Sequence, residues 1–224
     1  MVEIMRRLRQ NISLFVILMV SALAVYCQQG DSVDRIRQLL EDHKSYEFHQ
    51  DRSWQSEVLE LIRDSSDKWN IDPNNVGVIG FSAGGHLAST ISTKGKLGLN
   101  KPNFAILVYP VITMNIEVQK NGSGTFNSLF GDNPDVNIIQ DYSNDLNVNQ
   151  ETPPTILIHS NNDEGTPPEN SISYYAALRD NNIPSSLHIW EDGGHGYGLA
   201  KNRGTIESWP NVVKNWLILR GVIN

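Results

Sequence analysis

One cysteine, Cys27, stands in a chain of 224 residues, so no intrachain disulfide can staple the fold. No Cys/His cluster has the close spacing that zinc sites require, and neither a metal nor another cofactor is implied. Cationic residues are also few: 18 Lys and Arg against 25 Asp and Glu leave a formal charge of -7. Such a surface repels phosphate backbones, and no basic block outside the N-terminus offsets it, which argues against a nucleic-acid partner. Long apolar runs are scarce as well. The one present, Leu14 to Tyr26 broken only by Ser21, is shorter than the roughly 20 residues that cross a bilayer comfortably.

That run follows Arg6, Arg7 and Arg9 and ends in Cys27-Gln28-Gln29-Gly30. A charged start, an apolar middle and small residues near the end are the order of a secretory signal, so residues 1–27 are expected to be a signal peptide cleaved after Ala24 or Cys27. An uncleaved signal anchor is the alternative and the sole route to membrane contact. Tyr26 ahead of Cys27 fits a lipoprotein signal poorly, because a small residue normally stands there. The expected location is therefore secreted or periplasmic.

With 39% hydrophobic and 19% charged positions, the remainder can bury one sizeable core. Residues 28–50 read as a poorly defined linker with a short helix over Asp31 to Glu41, and 51–224 as the folded domain. From Asp51, Trp54, Val58, Leu61, Ile62 and Trp69 recur at helical spacing, with Glu57, Glu60, Arg63 and Asp67 facing outward. No strand is expected before Asn70 once the signal is set aside. After it come strands at Val76 to Phe81, Phe104 to Tyr109, Thr155 to His159 and Ser186 to Trp190. Helices are expected over Leu87 to Ser92, Asn170 to Arg179, and Ser208 to Leu219 with Ser208 as the N-cap. The polar stretch from Val111 to Thr152 reads as a long excursion over one end of the sheet. Strands alternating with helices imply a mainly parallel sheet in a three-layer α/β sandwich.

The chemistry centres on Gly80-Phe81-Ser82-Ala83-Gly84. An apolar strand that breaks into small residues around a serine is the pattern of a nucleophile elbow, where a sharp bend lifts the hydroxyl above the sheet edge. Gly80 and Gly84 fall where a Cβ would collide in so tight a turn. In a parallel sheet functional groups gather at the carboxyl ends of strands. Beyond Thr155 to His159 lies Ser160-Asn161-Asn162-Asp163-Glu164, and beyond Ser186 to Trp190 lies Glu191-Asp192-Gly193-Gly194-His195-Gly196. The order Ser, Asp, His is that of the hydrolase triad on this fold. His195 sits on a glycine-rich loop that can approach the serine, whereas His188 lies inside a strand. Asp163 is preferred as the orienting acid, with the longer Glu164 as the alternative; Asp192 is too near His195 in a turn, and Glu169 reads as a helix start.

Gly80-Phe81-Ser82-Ala83-Gly84-Gly85-His86-Leu87-Ala88-Ser89 resembles the elbow of the bacterial acetyl xylan esterase-like α/β-hydrolases, relatives of the hormone-sensitive-lipase and dienelactone hydrolase groups. The likeness extends through Trp69 to Pro73, Tyr109 to Met114, Gly122-Ser123, Leu129 to Gly131, Pro153-Pro154, Pro167 to Ser171 and Gly193 to Leu199. It spans the chain from about Asp51 to the C-terminus. It implies an α/β-hydrolase with Ser82 as nucleophile, His195 as general base and acid, and Asp163 as orienting acid. The implied substrates are acetyl or similar esters of plant polysaccharides and small molecules.

One part of the pattern is missing. Members of that family carry several strands and a His-Gly-Gly-Gly or Pro-Gly-Gly-Gly loop before the helix that ends at Trp69, and this sequence has no such loop. The fold is thus expected to be N-terminally truncated, with the elbow strand near an exposed sheet edge and Ala83 as the one nameable oxyanion donor. A secreted serine carboxylesterase is the leading expectation. A prolyl-oligopeptidase-like serine peptidase domain and a catalytically impaired remnant that binds carbohydrate or a partner chain are the alternatives.

Overall fold

A computed structural model of the protein describes residues 15–18, 24–25, 53–119, 126, 130 and 135–224. The expected helix over Asp31 to Glu41 lies outside these residues. Within them the elements run β1 (Phe15–Leu18), β2 (Ala24–Val25), α1 (Ser53–Asp64), α2 (Ser66–Trp69), β3 (Gly77–Phe81), α3 (Ala83–Lys94) and β4 (Phe104–Val108). There follow α4 (Ile116–Gln119), α5 (Val136–Tyr142), a 3-10 turn (Asn144–Asn147), β5 (Thr155–Ser160), α6 (Glu169–Asp180) and β6 (Ser185–Trp190). A second 3-10 turn (Gly204–Ser208) leads into α7 (Trp209–Leu219).

The strands form one six-stranded sheet in the order β2-β1-β3-β4-β5-β6. All neighbours are parallel except β2 against β1. Every residue of β3, β4 and β5 is buried, which is why β3, β4 and the Ile156 to Ile158 centre of β5 read as apolar runs rather than alternating ones. Their side chains nonetheless alternate between faces. Ile79, Phe81, Ile106, Val108, Ile156 and Ile158 pack with Trp209, Val213 and Trp216 of α7, while Val78, Ala105, Leu107 and Leu157 pack with α1, α3 and α6. The three-layer α/β arrangement expected from the sequence is the one found.

Three expectations are corrected. First, β3 is not at the sheet edge: Phe15–Leu18, inside the segment read as a signal, pairs in parallel with the elbow strand, Leu18 opposite Gly80. The sequence FVIL suits a buried parallel strand as well as the apolar middle of a signal, and periodicity alone does not separate the two. Second, the helix before Trp69 is two pieces meeting at Ser65. Arg63 does not face outward; it donates hydrogen bonds to the carbonyls of Leu99 (3.0 Å), Lys101 (2.7 Å) and Pro73 and to Asn103 Oδ1 (3.1 Å). Third, Ser208 precedes α7 as expected but does not cap it. Its hydroxyl donates to the Thr205 carbonyl at 2.7 Å, because the 3-10 turn supplies that acceptor first.

The excursion after β4 settles around Val111, Met114 and Phe126, with Phe130, Ile139 and Tyr142 against them. Two buried asparagines pin it to the body. Asn170 Oδ1 accepts from the Ile112 and Thr113 amides at 2.9 and 3.2 Å, and Asn144 Nδ2 donates to the His86 carbonyl at 3.0 Å.

Arg63→Met keeps the apolar stem of Arg63 and deletes its donors to three separate carbonyls. The variant is predicted to lose about 2 kcal/mol, the scale of hydrogen bonds from a charged donor, read from urea unfolding. An unchanged midpoint would show that this clamp contributes nothing.

Candidate active site

Ser82 follows the last residue of β3 and precedes the first of α3, with φ 53 and ψ -124. A non-glycine residue at positive φ is strained by on the order of 1–3 kcal/mol, and here the surroundings over-determine it. Its N–H donates to the Val108 carbonyl at 3.1 Å, and its own carbonyl accepts from Gly85, His86 and Val111. The turn closes only because two positions lack side chains. A Cβ on Gly80 would stand 2.3 Å from the Gly84 carbonyl oxygen, and one on Gly85 would stand 2.5 Å from Pro110. The expected crowding is thus found at Gly80, and Gly84 enters as the backbone it packs against.

The chain order Ser, Asp, His becomes a spatial relay. Ser82 Oγ lies 2.9 Å from His195 Nε2, and His195 Nδ1 lies 2.8 Å from Asp163 Oδ2. With Nδ1–H directed at the carboxylate, Nε2 is left as the acceptor facing the serine hydroxyl. Glu164, the alternative acid, is exposed and makes no hydrogen bond to His195 among the described residues. Asp192 accepts instead from Asn162 Nδ2 at 2.6 Å.

The three groups sit in different environments. The His195 side chain keeps 30% exposure, enough to meet a substrate, while that of Asp163 has none. Burial alone would raise the Asp163 carboxyl, yet it is lowered to about 2. Hydrogen bonds from His159, from His195 and from the Thr166 N–H, together with the His195 charge, outweigh the lost solvation. Its Oδ1 accepts from the Gly165 and Thr166 amides at 3.0 and 2.7 Å. The acid is therefore ionised at neutral pH and able to stabilise an imidazolium.

Several neighbours were not singled out by sequence. Asn162 Oδ1 accepts from the Gly193 and Gly194 amides at 3.0 and 2.8 Å, and Ser160 Oγ donates to the Gly194 carbonyl at 2.5 Å. These bonds zip the loop carrying Asp163 to the loop carrying His195. Gly194 and Gly196 take φ +63 and +70 on either side of the histidine, conformations that L side chains rarely adopt. Tyr109, itself at φ 40, sets its ring edge-on to His195 with centroids 4.9 Å apart and accepts from the Gly198 N–H at 3.3 Å. Burial raises its phenol above the ordinary range, so it stays neutral. His159 is a buried polar residue that follows the apolar Ile156 to Ile158 of β5, and that break is the available signal.

Ala83 begins α3, and its N–H makes no hydrogen bond among the described residues, as expected in the first turn of a helix. It directly follows Ser82, the position from which the sequence reading expects an oxyanion donor. The end of β1 lies beside the elbow strand, and residues 19–23 after it are outside the described ones. No group of three or more His, Cys, Asp or Glu is placed to hold a metal ion among the described residues.

Residues 41–217 match the profile of the prolyl oligopeptidase family. The chain belongs to that family. Within it, the expected likeness to acetyl xylan esterases is also found: 143 residues, 62% of this chain, are 43% identical to an acetylxylan esterase of Xylanibacter ruminicola. A second relative, endo-1,4-beta-xylanase B of Butyrivibrio fibrisolvens, is 29% identical over 157 residues. The chain spans only 29% and 24% of the lengths of these two proteins. Among solved structures, an acetyl ester-xyloside bifunctional hydrolase from Caldicellulosiruptor lactoaceticus superposes with a TM-score of 0.75 at 29% identity, covering 94% of this chain and 84% of that one. A Lactobacillus plantarum carboxylesterase shares the fold at TM-score 0.71 and 18% identity over 96% of this chain and 88% of that one. The prolyl oligopeptidase family is a family of α/β-hydrolases, so membership agrees with the sheet described above.

Because the Asp163 carboxyl is held below its ordinary value of 3.8, its contribution to stability is complete above the unfolded value and lost as pH falls through about 2. Between about pH 4 and pH 2 the urea midpoint of the native protein is predicted to drop more steeply than that of Asp163→Asn. Parallel slopes would mean that the buried carboxylate is not stabilised as described.

Proposed function

We propose that the protein is a serine carboxylesterase that removes acyl groups, acetyl foremost, from small esters or plant polysaccharides. The observation that carries this reading is the Ser82–His195–Asp163 relay at 2.9 and 2.8 Å in a chain 43% identical over 143 residues to an acetylxylan esterase. Ser82 Oγ attacks the ester carbonyl as His195 Nε2 takes its proton, and the imidazolium that forms faces the ionised Asp163. Negative charge on the carbonyl oxygen develops toward the Ala83 N–H. The imidazolium then returns the proton to the leaving alkoxide, and an acyl group remains on Ser82. Water, deprotonated by the same imidazole, releases the acid and restores the serine.

Family membership favours a second reading, cleavage of a peptide amide after proline, which uses the same three residues. The two are separated by substrate. An aryl acetate is expected to turn over with kcat/KM falling on the order of 10⁴-fold or more in Ser82→Ala, while a proline anilide is not cleaved. Equal aryl acetate rates in native and variant would end the esterase reading. Rapid anilide cleavage would replace it with the peptidase one, and saccharide binding without turnover would mark a carbohydrate-binding remnant.

Export is proposed on the order of charge and apolarity over residues 6–26 alone. The same residues supply β1, so cleavage after Ala24 or Cys27 would remove the strand that flanks β3. Protein recovered from an exporting host is expected to begin at residue 25 or 28 on N-terminal sequencing. An intact Met1 in the recovered protein would contradict processing.

A further inference from the structure

The Asp163 carboxylate meets two imidazoles, not one. Its Oδ2 lies 2.8 Å from His195 Nδ1 and 3.4 Å from His159 Nε2. His159 is fully buried in β5, on the side of the sheet away from α7, and no step assigned above uses it. Its two ring nitrogens have unlike partners. Nε2 lies 2.8 Å from the Thr166 carbonyl, and Nδ1 lies 2.7 Å from Ser171 Oγ at the start of α6.

These partners determine where the proton sits. A carbonyl and a carboxylate oxygen can only accept, so Nε2 must carry hydrogen in every state of the ring. The Ser171 hydroxyl, which can donate or accept, partners Nδ1, and the Nε2–H is shared between Thr166 and Asp163. Thr166 is held twice, since its own N–H donates to Asp163 Oδ1 at 2.7 Å. A short closed circuit therefore runs from the carboxylate through Thr166 to His159 and back. It leaves Asp163 Oδ2 little freedom except toward His195.

We propose that His159, anchored by Ser171, is a positioning residue of this site: its Nε2–H fixes the Asp163 carboxylate and the Thr166 carbonyl so that Oδ2 meets His195 Nδ1. The inference rests on the serine-hydrolase reading for its kinetic consequence but not for its geometry. Loss of the Nε2–H would leave a buried carbonyl without its donor and a carboxylate with one fewer, so the loop from Asp163 to Pro167 would relax. The His159 ring is fully buried and so out of reach of a substrate. The cost therefore falls on the chemical step and not on ground-state binding.

The test compares His159→Phe, which keeps a ring but no donor, with His159→Gln, whose amide nitrogen reaches the Nε2 position. For aryl acetate hydrolysis His159→Phe is expected to lower kcat about tenfold with KM unchanged, and His159→Gln to recover most of it. The low-field proton signal of His195 Nδ1–H should broaden or shift in the Phe variant and persist in the Gln variant. Native kcat together with an unaltered low-field signal in a folded His159→Phe protein would overturn the proposal. If that protein does not fold, His159→Gln is set against His159→Asn, whose shorter amide reaches the Nδ1 position only. Gln is expected to be the more active, and equal activity would overturn the proposal. A native protein that hydrolyses no ester would sink the esterase reading alone, because the low-field signal still reports whether His159 orders the Asp163–His195 pair.

Discussion

Everything at this site depends on a backbone that passes from strand to helix through one residue. Ser82 holds φ 53 because β3 ends against β4, because Val108, Gly85 and Val111 bond its peptide groups, and because Gly80 and Gly85 leave room for the turn. Relaxing that strain would need the elbow to leave the sheet, which would cost the burial of β3 on both faces. The fold therefore keeps the hydroxyl lifted in a position that packing maintains.

The histidine and the acid are held by a different device. Neither lies in a regular element; each stands on a loop just past a strand, and loops so placed need cross-links to be precise in position. Asn162 and Ser160 bond the two loops to each other, Tyr109 walls one side of the imidazole, and the Asp163 carboxylate collects donors from Gly165, Thr166, His195 and the neighbouring His159. The depressed carboxyl is the electrostatic expression of that collection. Burial would otherwise leave Asp163 protonated more readily and less able to favour an imidazolium.

How much of this was legible in the sequence follows from what kind of signal each part carries. The strands β3, β4 and β5 are buried on both faces, so each shows an apolar stretch, and Ser82 and Asp163 fall just past β3 and β5 while His195 follows the half-buried β6. β1 escapes the sequence reading because its apolar run carries a second meaning. Phe15–Leu18 is an apolar run behind a cluster of arginines, and that arrangement suits both a signal and a buried strand. Helical periodicity puts Arg63 on the outer face, because it counts charge but does not see three distant carbonyls converging on one guanidinium. His159 precedes the acid in chain order, so the Ser, Asp, His order does not point to it. Its role depends on closeness to Thr166 and Ser171, which only the turn after β5 creates.

The central claim is that Ser82 is nucleophilic because of where the elbow and His195 place it. Covalent labelling by an aryl phosphonate fluoride, followed by peptide mapping, tests it most directly. The account predicts a single adduct on Ser82, formed quickly in the native protein and at a greatly reduced rate when His195 is replaced by alanine. An adduct on another residue, or no adduct at all, would contradict it.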